Sequence, residues 1–233
     1  MINRKYKDIK EVIFIITARS GSKRLPNKNM KSLNGKPLIY WTINSIKRAY
    51  KEARVFISTD SKKIANFSKK MGVEVPFIRP KSISEDNSTS IEVANHFLEW
   101  IKKKKILPKY FVLLQPTSPF RTVKTIKECT TELIRNNDCN AIVAMKYQKN
   151  NVTALKYLDK KMYLKDIKFK KDIQKVIEPT GCYYGIKTIA FLKQQTFFPN
   201  KTIPYLINEL ESIDIDNNFD WQIASHFANK LIT

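Results

Sequence analysis

From residue 12 onward, short β-branched runs alternate with amphipathic helical segments, an order that few architectures accept. It is the signature of stacked βαβ units on a largely parallel sheet. Residues 12–17, VIFIIT, make an apolar run suited to a strand buried on both faces. A polar loop follows. Residues 37–50 then set Leu38, Trp41, Thr42, Ile46 and Ala49 near one helical face, with Pro37 acceptable in a first turn. Residues 54–58 read as the second strand, 61–71 as a helix closed by Gly72, and 73–78 as a third strand. The same reading gives helices over 90–106 and 123–136, and strands over 110–114, 141–145, 183–187 and 202–206. A closing helix is expected over 217–231. The expected fold class is α/β, three layers with a mostly parallel sheet flanked by helices. Residues 148–180 break the rhythm with Lys-rich polar text and predict an inserted hairpin arm. No Pro-, Gly- or Ser-rich linker divides the chain, so residues 1–233 are expected to form a single domain.

A chain of 233 residues with 42% hydrophobic content buries enough surface to need neither disulfides nor a structural metal. The formal charge of +22 would concentrate polyanions, and a basic nucleic-acid binder is the reading from a different class that it raises. The cations are mostly lysines spread along the chain among Ile and Asn, which reads as solvated faces, and no RRM, KH or zinc-finger pattern is present. The expectation is therefore no nucleic-acid partner. Three cysteines without a CxxC pair suggest a reducing compartment. No window reaches the length of a membrane span, and the first residues lack the apolar run of a secretory signal, so the expected place is the cytoplasm, away from membranes.

Two segments carry chemistry. Directly after the first strand, residues 18–29 (ARSGSKRLPNKN) gather Arg19, Lys23, Arg24 and Lys28 around Gly21. Ligands of open α/β sheets bind at the carboxyl ends of strands, so a cationic glycine loop there suits a polyphosphate. It is neither a Walker A loop nor a GxGxxG turn. Taken alone, it also reads as a solvated basic turn. Near the other end, Ser212 to Asp216 (SIDID) in extended form puts Asp214 and Asp216 on one face and the two isoleucines on the other. Adjacent carboxylates repel unless a cation or basic groups lie between them. The plainer reading is a strand end with Asp216 capping the helix that follows.

The text TARSGSKRLPNKN resembles the PARxxSKxxPxKN loop of the CMP-sialic-acid synthetases, or acylneuraminate cytidylyltransferases, with Thr17 where that family commonly has Pro. Further segments are similar to the same family in the same order: LNGKPLIYWTI, VFISTDSKKIANFSKKMGVEVPFIRP, SEDNSTSIEV, LLQPTSPFRT and SIDIDNNFD. The likeness spans roughly residues 12–145 and 181–230. It implies a nucleotidyltransferase-like fold and transfer of CMP from CTP to the anomeric hydroxyl of a nonulosonic sugar acid, with release of pyrophosphate. A CMP-octulosonate synthetase is the neighbouring enzymatic alternative.

On this resemblance Arg19 and Lys28 hold the triphosphate, with Ser22 and Asn29 as neutral donors beside it. Arg79 lies near the cytosine or its ribose; its plain alternative is a surface ion pair. Ser88, Thr89 and Ser90 are ligand donors or an N-cap for the following helix, with Ser90 read as both. Gln115, emerging after the fourth strand of the reading, is implicated in substrate binding. A neutral amide cannot neutralise Mg²⁺, so the metal falls to Asp214 and Asp216, bridging to the CTP phosphates. The catalytic set is thus Arg19, Lys28, Asp214 and Asp216, with Mg²⁺ as cofactor and CTP and a sugar acid as partners. Family members commonly pair through an inserted arm, which implies a homodimer through residues 148–180. Glu178-Pro179-Thr180-Gly181 stands where sialic-acid enzymes have RPNGA-like text, leaving sialic, legionaminic and pseudaminic acids all open as acceptors. Asp60 reads as the N-cap of the helix that follows, and His96 and His226 as packing or surface residues.

Overall fold

The computed structural model describes residues 8–148, 156–158, 164–166 and 176–231. Six strands form the main sheet in the order β10-β6-β9-β5-β1-β4: β1 (Val12–Thr17), β4 (Arg54–Ser58), β5 (Tyr110–Leu114), β6 (Ala141–Tyr147), β9 (Ile177–Lys187) and β10 (Thr202–Leu206). β1 runs parallel to β4 and β5, and β10 parallel to β6, whereas β9 is antiparallel to both neighbours. Two two-residue strands, β2 (Ser32–Leu33) and β3 (Lys36–Pro37), close a small hairpin beside the sheet. The mostly parallel α/β sheet matches the sequence reading.

Alternation along β1 explains the layers. Phe14 and Ile16 face α1 (Leu38–Ala49) and α4 (Val123–Arg135), packing with Ile39, Ile43, Ile126 and Leu133. Ile13 and Ile15 face the opposite side, where α3 (Ser90–Lys103) supplies Phe97, Leu98 and Ile101. A strand whose successive side chains point to opposite faces can serve two hydrophobic layers only if both sets are apolar, and VIFIIT meets that demand. α2 (Lys62–Lys70) adds Ile64 to the first layer, while the short α5 (Thr188–Gln194), which the sequence reading did not contain, adds Phe191 to the second.

A third, smaller cluster matters most for the site. Leu25 of the cationic loop and Ile215 from between the two aspartates pack together with Trp41, Phe120 and Trp221, the last from α6 (Asn218–His226). Burial of each large apolar side chain contributes about 1.5–3 kcal/mol. Apolar packing thus joins two segments almost 200 residues apart in sequence.

Several boundaries differ from the sequence reading. Residues 73–78 are not a strand: Glu74 and Ile78 make isolated parallel bridges to Phe56 and Thr59, and Pro76 between them has no N–H to continue a ladder. The helix over 90–106 ends at Lys103, with Lys105 in the left-handed region at φ 57°. The closing helix stops at His226 and is followed by one 3₁₀ turn, Ala228–Lys230. Part of the proposed arm, residues 177–180, belongs instead to β9 and pairs with the end of β6. Within the rest of 148–180 the described residues include β7 (Lys156–Leu158) and β8 (Leu164–Asp166), an antiparallel pair; the remainder of that expectation lies outside the described residues. Among the described residues no helix is long and apolar enough to cross a membrane. The three cysteines are buried and unbridged.

Candidate active site

A cleft of about 330 Å³ opens at the carboxyl edge of the sheet, where β1 ends in Thr17 and β5 runs into Gln115. Arg19, Lys28 and Asn29 line it from the cationic loop, and Asp214 and Asp216 from the C-terminal segment. Arg79, Ser88, Ser90 and Gln115 complete its walls. Nine of the ten residues singled out in the sequence therefore converge. Ser22 does not: it lines a neighbouring concavity with Gly21, Lys23 and Asp86.

Lys28 ties the two segments together. Its ammonium, with a side chain only 11% exposed, donates to the Ile215 carbonyl at 2.6 Å and to Asp216 Oδ1 at 3.2 Å. Arg24 reaches the other oxygen of Asp216 at 3.3 Å from a more exposed position. The acidic segment is pinned by further bonds. Ile215 N–H donates to the Thr117 carbonyl at 2.8 Å, and buried Glu211 accepts from Thr122 N–H and Thr125 Oγ1 at 3.0 and 2.6 Å. Asp216 does not cap the following helix. Asn217 does, in a capping box with Asp220, which frees the Asp216 carboxylate for the cleft.

Asp214 is exposed at the cleft mouth, and the partial desolvation of its carboxyl comes from the protein on its remaining sides. That desolvation raises its carboxyl above the usual range, opposed by a hydrogen bond from Thr117 and by Lys28, and reinforced by Asp216 and Asp220. The cleft lining balances Arg19, Lys28 and Arg79 against Glu85, Asp214 and Asp216, so what a divalent cation would meet there is the local carboxylate pair rather than a net negative charge. Among the described residues no three ligating side chains form a closed metal cage. Two carboxylates beside an open cleft fit Mg²⁺ in its usual mode, in which substrate oxygens and water fill the remaining positions.

Arg79 is 4% exposed, with Nε donating to Ser84 Oγ at 3.0 Å and its backbone N–H to the Thr59 carbonyl at 2.7 Å. This is not the surface ion pair that was its plain alternative. Burial lowers its pKa, with nearby Asp60 opposing and Arg19 adding to the effect. Asn29 donates from Nδ2 to the Arg19 carbonyl at 2.9 Å, and its buried Oδ1 has no hydrogen-bond partner among the described residues. On the loop's outer side Arg19 and Lys23 pair with Asp86 at 2.7 and 2.8 Å, and the hydrogen bond from Lys23, then that from Arg19, hold the Asp86 carboxyl below its usual range.

Backbone geometry chooses the caps of α2 and α3. Ser61, not Asp60, caps α2, accepting from Ile64 N–H at 3.3 Å. Asp60 instead accepts from Ser20 N–H and Ser20 Oγ at 2.7 and 2.6 Å, clamping the start of the cationic loop. Of the three cap candidates, Thr89 caps α3 in a capping box with Glu92, which leaves the Ser90 hydroxyl in the cleft wall. Sequence reasoning also missed Arg121, 4% exposed, which donates from NH2 to the Gln115 and Gly181 carbonyls at 2.8 and 3.0 Å and from Nε to the Cys182 carbonyl at 2.6 Å. An Arg at the end of QPTSPFR reads naturally as a surface or ligand residue, and only the close approach of β9 explains its burial.

A mostly parallel sheet with a cationic loop and a carboxylate pair facing each other across its carboxyl edge has the build of a nucleotidyltransferase. The cytidylyltransferase family profile matches residues 13–213, and the chain belongs to that family. The CMP-N,N'-diacetyllegionaminic acid synthase of Legionella pneumophila is 30% identical over 220 residues, covering 91% of this chain and 94% of that protein. The N-acylneuraminate cytidylyltransferase of Streptococcus agalactiae serotype V is 30% identical over 217 residues, covering 90% of this chain; the chain spans 51% of that longer protein. Among solved structures, a CMP:2-keto-3-deoxy-manno-octonic acid synthetase complexed with CTP superposes with a TM-score of 0.67 over 94% of this chain and 99% of that one. At 14% identity that likeness is one of fold.

Proposed function

We propose that the protein transfers CMP from CTP to a nonulosonic sugar acid of the sialic, legionaminic or pseudaminic type. The carrying observation is the meeting of Lys28 with Asp216, 3.2 Å apart, in one cleft with Arg19, Arg79 and Gln115. The anomeric hydroxyl oxygen of the acceptor attacks the α-phosphorus of CTP, the α–β phosphoanhydride bond breaks, and pyrophosphate leaves as the hydroxyl proton is lost. Positioning and charge stabilisation carry such a reaction. Lys28 and Arg19 bind the triphosphate. The Arg19–Asp86 ion pair is roughly a third exposed on each side, so it is a weak competitor for a polyphosphate. Arg79, with Ser88 and Ser90, holds the nucleoside end, while Asn29 and Ser22 are neutral donors beside the triphosphate, Ser22 at the rim. Gln115 faces the acceptor.

Asp214 and Asp216 would hold Mg²⁺, which supplies charge neutralisation on the phosphates. Lys28 and Arg24 both pair with the Asp216 carboxylate. A reducing cytoplasm suits the three buried free thiols. A homodimer joined through the segment around β7 and β8 belongs to the same proposal; light scattering that gives a monomer mass would remove it.

The deciding experiment is pyrophosphate release from each nucleoside triphosphate with Mg²⁺, against sialic, legionaminic, pseudaminic and octulosonic acids. Release is expected with CTP and a nonulosonic acid. Turnover with octulosonic acid alone would move the protein to the neighbouring enzyme class. Failure with every pair, together with tight salt-sensitive oligonucleotide binding, would return the +22 charge to the centre of the argument.

A further inference from the structure

Behind Gln115, which lines the cleft, the packing is built around a missing side chain. A Cβ placed on Gly181 would lie 2.4 Å from Gln115 Oε1, 2.8 Å from Ser118 Oγ and 3.1 Å from Gln115 Cβ. The backbone there cannot step back to make room. Gln115 N–H donates to the Gly181 carbonyl at 3.0 Å, and the buried Arg121 guanidinium donates to both the Gln115 and the Gly181 carbonyls. Its Nε and Nη1 donate to the Cys182 carbonyl and to Thr42 Oγ1. A planar guanidinium spread over four acceptors locks β9 against the exit of β5.

With the backbones locked, the group able to yield is the Gln115 carboxamide. We infer that Gly181 is a positioning residue for acceptor recognition: by lacking a side chain it lets the Gln115 amide lie back against β9, and so sets the depth of the acceptor end of the cleft. Any larger residue at 181 pushes that amide forward into the space the acceptor occupies. The inference rests on the proposed role of Gln115 in holding the acceptor. It also gives the departure of Glu178-Pro179-Thr180-Gly181 from RPNGA-like text a structural reading. The stretch changes around a glycine that the packing cannot replace.

The test is a double-mutant cycle on the intact chain, with Gly181→Ala made in the wild-type and Gln115→Ala backgrounds. Kinetics use CTP with N,N'-diacetyllegionaminic acid as the probe acceptor, alongside thermal unfolding without ligand. Gly181→Ala is expected to raise the acceptor KM by about tenfold or more while leaving the CTP KM within about twofold, and in the Gln115→Ala background to change the acceptor KM by less than about twofold. Its loss of Tm should likewise shrink once the Gln115 amide is gone. Ser118 is the other atom in the way, and Ser118→Ala/Gly181→Ala separates the two: it should retain the acceptor defect. Equal penalties in both Gln115 backgrounds, a parallel rise in the CTP KM, or full rescue by Ser118→Ala would each overturn the inference. If the wild type turns over no nonulosonic acid, the proposed function fails, and the thermal cycle still decides whether Gly181 acts through Gln115.

Discussion

Lys28→Met isolates the contact that joins the two halves of the cleft. The substitution keeps most of the aliphatic stem but removes two bonds from one ammonium, to the Ile215 carbonyl at 2.6 Å and to Asp216 Oδ1 at 3.2 Å, at a side chain 11% exposed. Hydrogen bonds to charged groups contribute about 1.5–3 kcal/mol when solvent is largely excluded. In a chain of this length each kcal/mol moves Tm by about 2–4 °C, so the Ile215 bond alone, counted because Asp216 is 48% exposed, should cost the ligand-free protein about 3–12 °C. If the same ammonium also faces the phosphates in the transition state, the loss of one preorganised donor costs about 2.7–4 kcal/mol, or about 10²–10³ in kcat. Arg24→Met supplies the contrast. Arg24 bonds the same carboxylate at 3.3 Å, but with its side chain 69% exposed; such pairs contribute about 0–1 kcal/mol, so less than about tenfold should be lost. Initial rates of pyrophosphate release and thermal unfolding of both variants measure each quantity. Retention of kcat within about threefold in Lys28→Met, or equal losses in the two variants, would refute the reasoning, because burial would then not be what separates them.

Two further perturbations test neighbouring parts of the site. Asp214→Asn should cut turnover by at least about 10² while raising Tm only slightly at neutral pH, because partial desolvation holds the carboxyl above its unfolded pKa and its ionised form, screened by solvent at this exposed residue, costs only a little folding free energy there. The Tm gap to wild type should close as pH falls through the raised pKa toward the ordinary carboxylate range, and a variant less stable than wild type at neutral pH would reverse the sign argued here. Asp60→Ala should raise the CTP KM by about tenfold by releasing the Ser20 bonds that hold the cationic loop, with partial rescue by Asp60→Asn, which keeps an acceptor for Ser20 N–H; an unchanged KM in both would show that the loop holds its shape without the clamp.

Which parts of this molecule the sequence discloses follows from the range of the forces involved. The strand at 12–17 and the helices over 38–49 and 123–135 are visible because their apolar periodicity is local, and the periodicity is what the two faces of the sheet demand. The 73–78 segment misleads for the complementary reason: Val73 and Val75 look like strand text, while one proline decides the hydrogen bonding. Caps are hard to place because Ser61 and Thr89 compete with equally suitable neighbours, and only backbone geometry chooses between them.

The chemistry-bearing residues divide along the same line. Arg19, Lys28, Asp214 and Asp216 are legible as a dense cationic turn and an alternating acidic pair, each carrying its signal within a few residues. What holds them in register is not legible: Leu25 packed near Ile215, Arg121 buried under β9, Asp60 reaching back 40 positions to Ser20, and a glycine whose purpose is the space it leaves. Each of these acts through a contact between segments distant in the chain, and none has a side chain that advertises its partner. The groups that touch a substrate must be chemically distinctive, whereas the groups that position them need only fit. Substitutions in the second set should therefore split KM from kcat and depend on their neighbours' identity. Substitutions in the first should abolish turnover in any background, and the two patterns can be told apart in one kinetic series.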